Sequence, residues 1–271
     1  MLEHLMELTA KNAAKNETDY LNAEGILMCG ICRTPKQVKV PDYGQGLVYC
    51  MCRCESERFA QERAQRMAAQ DRSMILRLRS EAFPDVRMQA CTFARDDGAN
   101  PQFSETARRY AAGFEKIRAE NCGLLLYGEP GTGKSFYAAC IVNALIDRKI
   151  PAFMTNVTEI TRVCDPERKE ALLHKLSFCE LVVIDDIGSE RSTEYALEQV
   201  YAAIDTRYRS GKPLIVTTNY NPQQLLESTD LNHRRIYDRI QESCTPIEVR
   251  GTRRKMNGMN RQRELAQILC G

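Results

Sequence analysis

The eight residues Gly128-Glu129-Pro130-Gly131-Thr132-Gly133-Lys134-Ser135 constrain the fold of this chain more than any other segment. They fit G-x-x-x-x-G-K-[ST] at every specified position. The glycines let the backbone turn tightly and aim its N–H groups at phosphate oxygens. The helix that follows such a loop adds the positive end of its dipole. The flanks comply: Leu124–Tyr127 reads as a short buried strand and Lys134–Arg148 as a helix. Lys134 is expected to reach the β- and γ-phosphates of ATP and Ser135 to ligate Mg²⁺, with Phe136 closing the same binding segment.

Strands and helices alternate around this loop. Thr106–Ala119 reads as a helix, Ala152–Asn156 as a strand, and the sequence through Phe178 as helical. Leu181–Asp185 is a fully apolar strand, Thr193–Arg209 a helix, Leu214–Thr218 a fourth strand and Ile247–Val249 a short fifth. This pattern predicts an α/β fold with a parallel sheet covered by helices on both faces. Ligands of such sheets bind at the carboxyl ends of the strands. There the chain places Asp185 to hold the Mg²⁺ shell and Asp186 to polarise an attacking water. Asn219, at the tip of the Leu214–Thr218 strand, can hydrogen-bond that water or the γ-phosphate. Arg234, Arg235 and Arg239 lie on a predicted helix, and one of them can serve a neighbouring subunit's nucleotide as an arginine finger.

Composition excludes several other classes. With 43% apolar residues the 271-residue chain can build a substantial core without disulfides. A net charge of +2 leaves nucleic-acid binding to local patches. No apolar run approaches the roughly 18 residues of a membrane span, and the start has no signal-peptide pattern. A cytoplasmic location and no membrane partner are therefore expected.

Twelve cysteines are unevenly spread: five lie between Cys29 and Cys54, and the other seven are scattered. Scattered cysteines behave as small apolar residues, whereas a cluster points to metal. Cys29-Gly30-Ile31-Cys32 is a C-x-x-C knuckle, and Cys50, Cys52 and Cys54 follow beyond a turn-rich loop with signals at Pro41-Asp42 and Gly44–Gly46. Two such groups fit a four-thiolate Zn²⁺ site with one cysteine to spare. Before the cluster, Leu2, Leu5, Met6 and Leu8 suit an amphipathic helix over residues 2–21. After it, Glu55 to about Ser80 reads as a long exposed helix ending near Phe83-Pro84. A zinc knuckle at about 25–56 inside an N-terminal partner-binding domain of residues 1–85, then a nucleotide domain of 86–271, is the expected division.

Together GLLLYGEPGTGKS (Gly123–Ser135), LVVIDDIGSE (Leu181–Glu190), LIVTTN (Leu214–Asn219) and RRIYDRI (Arg234–Ile240) resemble the AAA+ ATPases of the bacterial helicase-loader group, DnaC and DnaI, and their relative IstB. The similarity spans roughly residues 90–255. It implies a five-stranded sheet in which the Asn219 strand lies between the P-loop strand and the Asp185 strand. It further implies Thr92 and Phe93 near the adenine and Arg239 as the arginine finger, although Asp238 replaces the family's serine. Arg254 is then the second sensor arginine, with Arg253 as competitor. The family's C-x-C-E pattern matches Cys52 and Cys54, which leaves Cys50 as the alternative ligand. DnaI-like loaders carry such a zinc module to grip the helicase; DnaC and IstB lack it.

The function implied is ATP-dependent loading of the replicative DNA helicase on single-stranded DNA by a self-assembling oligomer. The alternative is an IstB-like transposition ATPase on duplex DNA. A zinc adaptor using ATP only as a switch, and a small-molecule kinase, fit the residues less well.

Overall fold

The computed structural model describes residues 16–40, 46–188, 193–226, 231–251 and 267–268, and the chain divides into two compact units, residues 1–72 and 73–271. The first unit contains two antiparallel hairpins. In one, β1 (Tyr20–Leu21) pairs with β2 (Leu27–Met28); in the other, β3 (Gln37–Lys39) pairs with β4 (Leu47–Tyr49). The turn between β1 and β2 is held by Asn22, whose side chain accepts from the amides of Glu24 and Ile26 at 3.0 and 2.9 Å. Residues 16–21 are a turn and β1 where the sequence suggested the end of a helix. The Asp19 carboxylate captures the Asn16 amide at 2.9 Å, closing a local turn that competes with helix. Leu2, Leu5, Met6 and Leu8 lie outside the described residues, as do residues 41–45 of the expected turn.

Helix α1 (Arg53–Ala82) is rich in Ala, Gln, Arg and Met, and most of its residues are exposed. It stops before Pro84, whose ring disfavours helical backbone at the preceding residue. Two 3₁₀ turns, Val86–Ala90 and Phe93–Arg95, lead on to α2 (Pro101–Ala112). Asn100 caps α2 by accepting from the Phe103 amide at 3.1 Å, and Pro101 fills the first helical position. The helix expected over 106–119 thus starts earlier, and it breaks at Gly113 before α3 (Phe114–Ala119).

The second unit then winds through β5 (Gly123–Tyr127), α4 (Lys134–Asp147), β6 (Ala152–Asn156), α5 (Val157–Arg162), α6 (Pro166–Phe178) and β7 (Leu181–Ile187). It continues through α7 (Glu194–Arg209), β8 (Leu214–Thr218), α8 (Pro222–Leu226), α9 (Leu231–Ser243) and β9 (Cys244–Glu248). The five strands pair in parallel in the order β6-β7-β8-β5-β9, so β8 does lie between β5 and β7.

Strand residues alternate between two cores, as their period of two requires. Leu124, Leu126, Met154, Val183 and Ile215 join Phe103, Phe114, Tyr137, Ile141 and Leu145 of α2, α3 and α4 on one face. Leu125, Phe153, Val182, Ile184 and Val216 join Leu176, Val200, Ile204, Ile236 and Ile240 of α6, α7 and α9 on the other. Among the described residues no helix is long and apolar enough to cross a membrane.

One buried cation ties this unit together. Arg207 of α7 is fully buried, and its guanidinium donates to the carbonyls of Pro213, Leu176, Cys179 and Glu180 over 2.6–3.2 Å. Burial pulls its pKa down to about 10.

Candidate functional site

The phosphate loop leaves β5 at its carboxyl end. Gly128, Gly131 and Gly133 have φ of 135°, 89° and 101°, a region closed to most side chains. At Gly128 the space is closed as well, since a Cβ would lie 2.8 Å from the Val249 carbonyl. The loop is braced by Thr132 donating to the Glu129 carbonyl at 3.0 Å. Lys134 opens α4, with its ammonium donating to the carbonyls of Gly128 at 2.7 Å and Glu129 at 3.0 Å. Its third bond, at 2.9 Å, goes to Oδ1 of Asn219 at the end of β8. Burial lowers the Lys134 pKa, opposed by the charges of Asp186, Asp185 and Glu129.

Asn219 in turn donates to Oδ1 of Asp186 at 3.3 Å, so one line of bonds runs from the loop lysine to the strand-end aspartates. Asp185 accepts from the Thr217 hydroxyl at 2.5 Å, and the Ser135 hydroxyl is close enough to favour its charged form. Burial raises the Asp185 pKa, and these two hydroxyls pull it back. The structure therefore gathers Lys134, Ser135, Asp185, Asp186 and Asn219 into one network. A cleft of ≈ 230 Å³ opens beside the aspartates, lined by Asn156, Thr158, Arg87 and Met88 among others.

The remaining expected residues make contacts of their own or lie outside the described residues. Phe136 packs edge-on against Tyr137, with ring centroids 5.3 Å apart. Thr92 precedes the turn Phe93–Arg95, and the Phe93 ring sits under the Arg108 guanidinium at 4.7 Å. Arg239 of α9 stacks over Tyr208 at 4.2 Å and pairs with Asp205 at 3.5 Å and Glu242 at 3.6 Å. Arg253 and Arg254 lie outside the described residues.

Sequence reading missed Thr217 and Tyr137. The Tyr137 hydroxyl donates to Asp96 at 3.1 Å and is placed 3.3 Å from the Asn100 carbonyl, fastening the lead-in segment to α4. No local signal distinguishes Tyr137 from a core aromatic. Thr217 stood in the quoted LIVTTN run, but only its bonds show what it does.

The second candidate site lies within residues 1–72. The Sγ atoms of Cys29, Cys32, Cys52 and Cys54 all lie within 4.8 Å of one another. Cys29–Cys54 and Cys52–Cys54 are 3.6 and 3.4 Å apart. A tetrahedral ion with metal–sulfur bonds of about 2.3 Å has sulfurs about 3.8 Å apart, close to this spacing. A disulfide needs sulfurs only about 2.05 Å apart. Cys50 is not in the group; its thiol points to the Pro35 carbonyl at 3.6 Å.

Local geometry favours the thiolate at two of the four cysteines, while neighbouring thiols push the Cys54 pKa up to about 12 and burial raises that of Cys52. The amides of Cys32 and Ile31 lower the Cys29 pKa, and the Thr34 hydroxyl and Cys54 amide lower that of Cys32 to about 5. The knuckle rests on a buried ion pair, Lys36–Asp19 at 2.6 Å, and Asp19 also accepts from the Gly30 amide at 3.1 Å. Gly30 sits so close to Thr18 that a Cβ would come 2.1 Å from its carbonyl oxygen. Four thiols in this arrangement can hold a metal ion.

Comparison with known proteins agrees with both the sheet and the loop. Residues 124–242 match the family described as "ATPase family associated with various cellular activities (AAA)". The replicative helicase loader DnaC of Escherichia coli K12 is 32% identical over 140 residues, which cover 49% of this chain and 55% of DnaC. The replicative helicase loader DnaI of Bacillus subtilis is 26% identical over 147 residues, 49% of this chain and 47% of DnaI. The chain thus spans about half the length of these curated relatives. A crystal structure of DnaI has the same fold, with a TM-score of 0.54 at 24% identity over 66% of this chain and 99% of that one.

Proposed function

Residues 124–242 form an AAA ATPase domain with relatives named DnaC and DnaI, and from that premise we propose that this chain is an ATP-dependent loader of the replicative DNA helicase. The observation that carries the catalytic part is the continuous network from Lys134 through Asn219 to Asp186, with Asp185 joined to it through Thr217. Residues Gly128–Ser135 cradle the phosphates, as the three left-handed glycines and the crowding at Gly128 suit. Phe136, Thr92 and Phe93 flank the nucleotide. Ser135 and Asp185 are the side chains that would hold Mg²⁺, whose chemistry is to neutralise phosphate charge. Lys134 leaves its loop carbonyls for the β- and γ-phosphates. Asp186 takes the proton side of an attacking water, and Asn219 fixes that water's position.

Arg239 serves a neighbouring copy as the arginine finger in an ATP-dependent oligomer, with Arg254 as the second sensor and Arg253 as its competitor. Single-stranded DNA is held through phosphate contacts that weaken with salt. The Cys29, Cys32, Cys52 and Cys54 group binds Zn²⁺, and its module, in the N-terminal domain of residues 1–85, grips the helicase. The protein works in the cytoplasm.

The test is co-purification and size exclusion with the host's replicative helicase, with and without ATP, using wild type and a C29S/C32S variant. A complex formed by wild type and lost in the variant supports the loader reading. Absence of binding in every nucleotide state, with ATP-dependent assembly on duplex DNA, overturns it in favour of a transposition ATPase.

A further inference from the structure

We infer that Thr217 is a positioning residue for ATP hydrolysis, its one hydroxyl setting the geometry of the Asp185–Asp186 pair; this rests on the ATPase reading above. The argument starts from an irregularity in the sheet. Strands β7 and β8 run in step from Val182↔Leu214 to Ile184↔Val216, and the next partners are Ile187↔Thr218. Three steps along β7 are thus matched by two along β8. The extra residue is a bulge at Asp185–Asp186, and Asp186 has φ 61°, in the left-handed region.

In a regular strand, consecutive side chains point to opposite faces. Two adjacent carboxylates could then not both serve one site. Here Asp185 and Asp186 are both tied to the same Thr217 oxygen, and Asp186 also accepts from Asn219, which is bonded to Lys134. The bulge has thus broken the alternation and brought both acids into the network of the phosphate loop.

A bulge also strips the ladder of its regular bonds, and a buried amide left alone is costly. The two threonines of β8 replace what is lost. Thr217 Oγ1 accepts from the Asp186 amide at 2.8 Å and donates to Asp185 Oδ1 at 2.5 Å. Thr218 Oγ1 donates to the Ile187 carbonyl at 2.7 Å. A single Thr217 oxygen therefore fixes the backbone of one acid and the carboxylate of the other. Thr217 is 1% exposed, which leaves no route for water to take over both bonds. Neither valine, which has the same shape, nor alanine supplies them; serine does.

The test compares the full-length chain with T217V, T217S and T217C. Four quantities are read: kcat and KM for ATP, the Mg²⁺ concentration giving half-maximal turnover, the affinity for a fluorescent ADP analogue without metal, and the Mn²⁺ affinity of the nucleotide complex by electron paramagnetic resonance. T217V is expected to lose roughly 10- to 100-fold in kcat, and roughly 10-fold in Mg²⁺ and Mn²⁺ affinity. Its metal-free nucleotide affinity stays at the wild-type value.

T217S recovers both losses, and T217C, a poor donor, falls between. T217V matching wild type in kcat and metal affinity, or T217S failing as badly as T217V, overturns the positioning role and leaves the ATPase reading intact. If T217V does not fold, T217C decides: turnover equal to that of T217S overturns the role. A wild-type chain with no turnover, alone or with single-stranded DNA and helicase, overturns both.

Discussion

The two units of this chain achieve order by opposite means. The second unit encloses a five-stranded sheet between two apolar layers, with Leu126, Ile141, Val183, Ile184, Val200 and Ile204 all fully buried. Among the described residues up to 72, the buried ones are few: Leu27, Cys29 and Cys52, with the Asp19–Lys36 pair. That is far too little apolar area to offset the backbone entropy of ordering two hairpins. The second unit is held by packing, whereas the first has little core and gathers four sulfurs that can hold a metal ion.

The widest separation between the units should come from removing metal. A structural Zn²⁺, the ion proposed for the four cysteines, contributes on the order of 10–16 kcal/mol in apparent binding free energy. Chelation, or C29S/C32S, is therefore expected to abolish the hairpins while the second unit keeps its thermal transition. Amide hydrogen exchange read separately in residues 16–40 and 123–218 checks this. A single transition lost in both units would break the comparison.

The converse perturbation is Arg207→Met. It leaves four buried carbonyls without the guanidinium and should cost the second unit more than about 3 kcal/mol. Bound zinc, measured by metal analysis, should be unchanged. Next, Lys134→Ala is expected to lower ATP turnover by about 100-fold or more, again without loss of zinc. A fall in zinc content would show the units to be less independent than their cores suggest.

Smaller still is Lys36→Ala, which leaves the Asp19 carboxylate buried and unpaired beneath the knuckle. Metal affinity should fall by roughly 10-fold, as for other supports of metal ligands. Competition with a chromogenic chelator reads it. Folding raises the Asp185 pKa, so the native state costs stability above that pKa, where the group must ionise, and recovers it as pH falls toward the ordinary carboxylate range. Asp185→Asn should thus abolish turnover and yet raise the melting temperature slightly at pH 7. A lower melting temperature would show that the Ser135 and Thr217 bonds outweigh burial.

Legibility in the sequence followed burial. Ala152–Asn156 and Leu214–Thr218 were readable to the residue, because short apolar runs bounded by polar residues have one comfortable place, inside a parallel sheet. The fifth strand was placed three residues late. It is an edge strand, and among Cys244–Glu248 only Cys244 is buried, so no apolar run marks it. The break before α6 was overlooked although Asp165-Pro166 carries both a cap and a first-turn proline, with Asp165 accepting from the Arg168 amide at 2.9 Å.

In the site, the loop, the two aspartates and Asn219 were legible from their residue types. The bulge that lets adjacent aspartates share one centre was not, since it depends on a register shift against β8. Spacing marked five clustered cysteines, and the resemblance left Cys50 as the spare one. The structure agrees, with the Cys50 thiol pointing to the Pro35 carbonyl and the other four gathered together.

Arg207 has a further consequence, in time rather than in space. Its acceptors are Pro213, six residues further along the chain, and the stretch from Leu176 to Glu180 between α6 and β7, so the clasp cannot close until two segments 27–31 residues apart in sequence have met. Half closed, it would strand a dehydrated cation, a state worse than leaving the arginine in water. Closure therefore belongs after the rate-limiting step of folding, and its rupture belongs to unfolding. Replacing Arg207 should leave the refolding rate near that of wild type and shorten the lifetime of the native state.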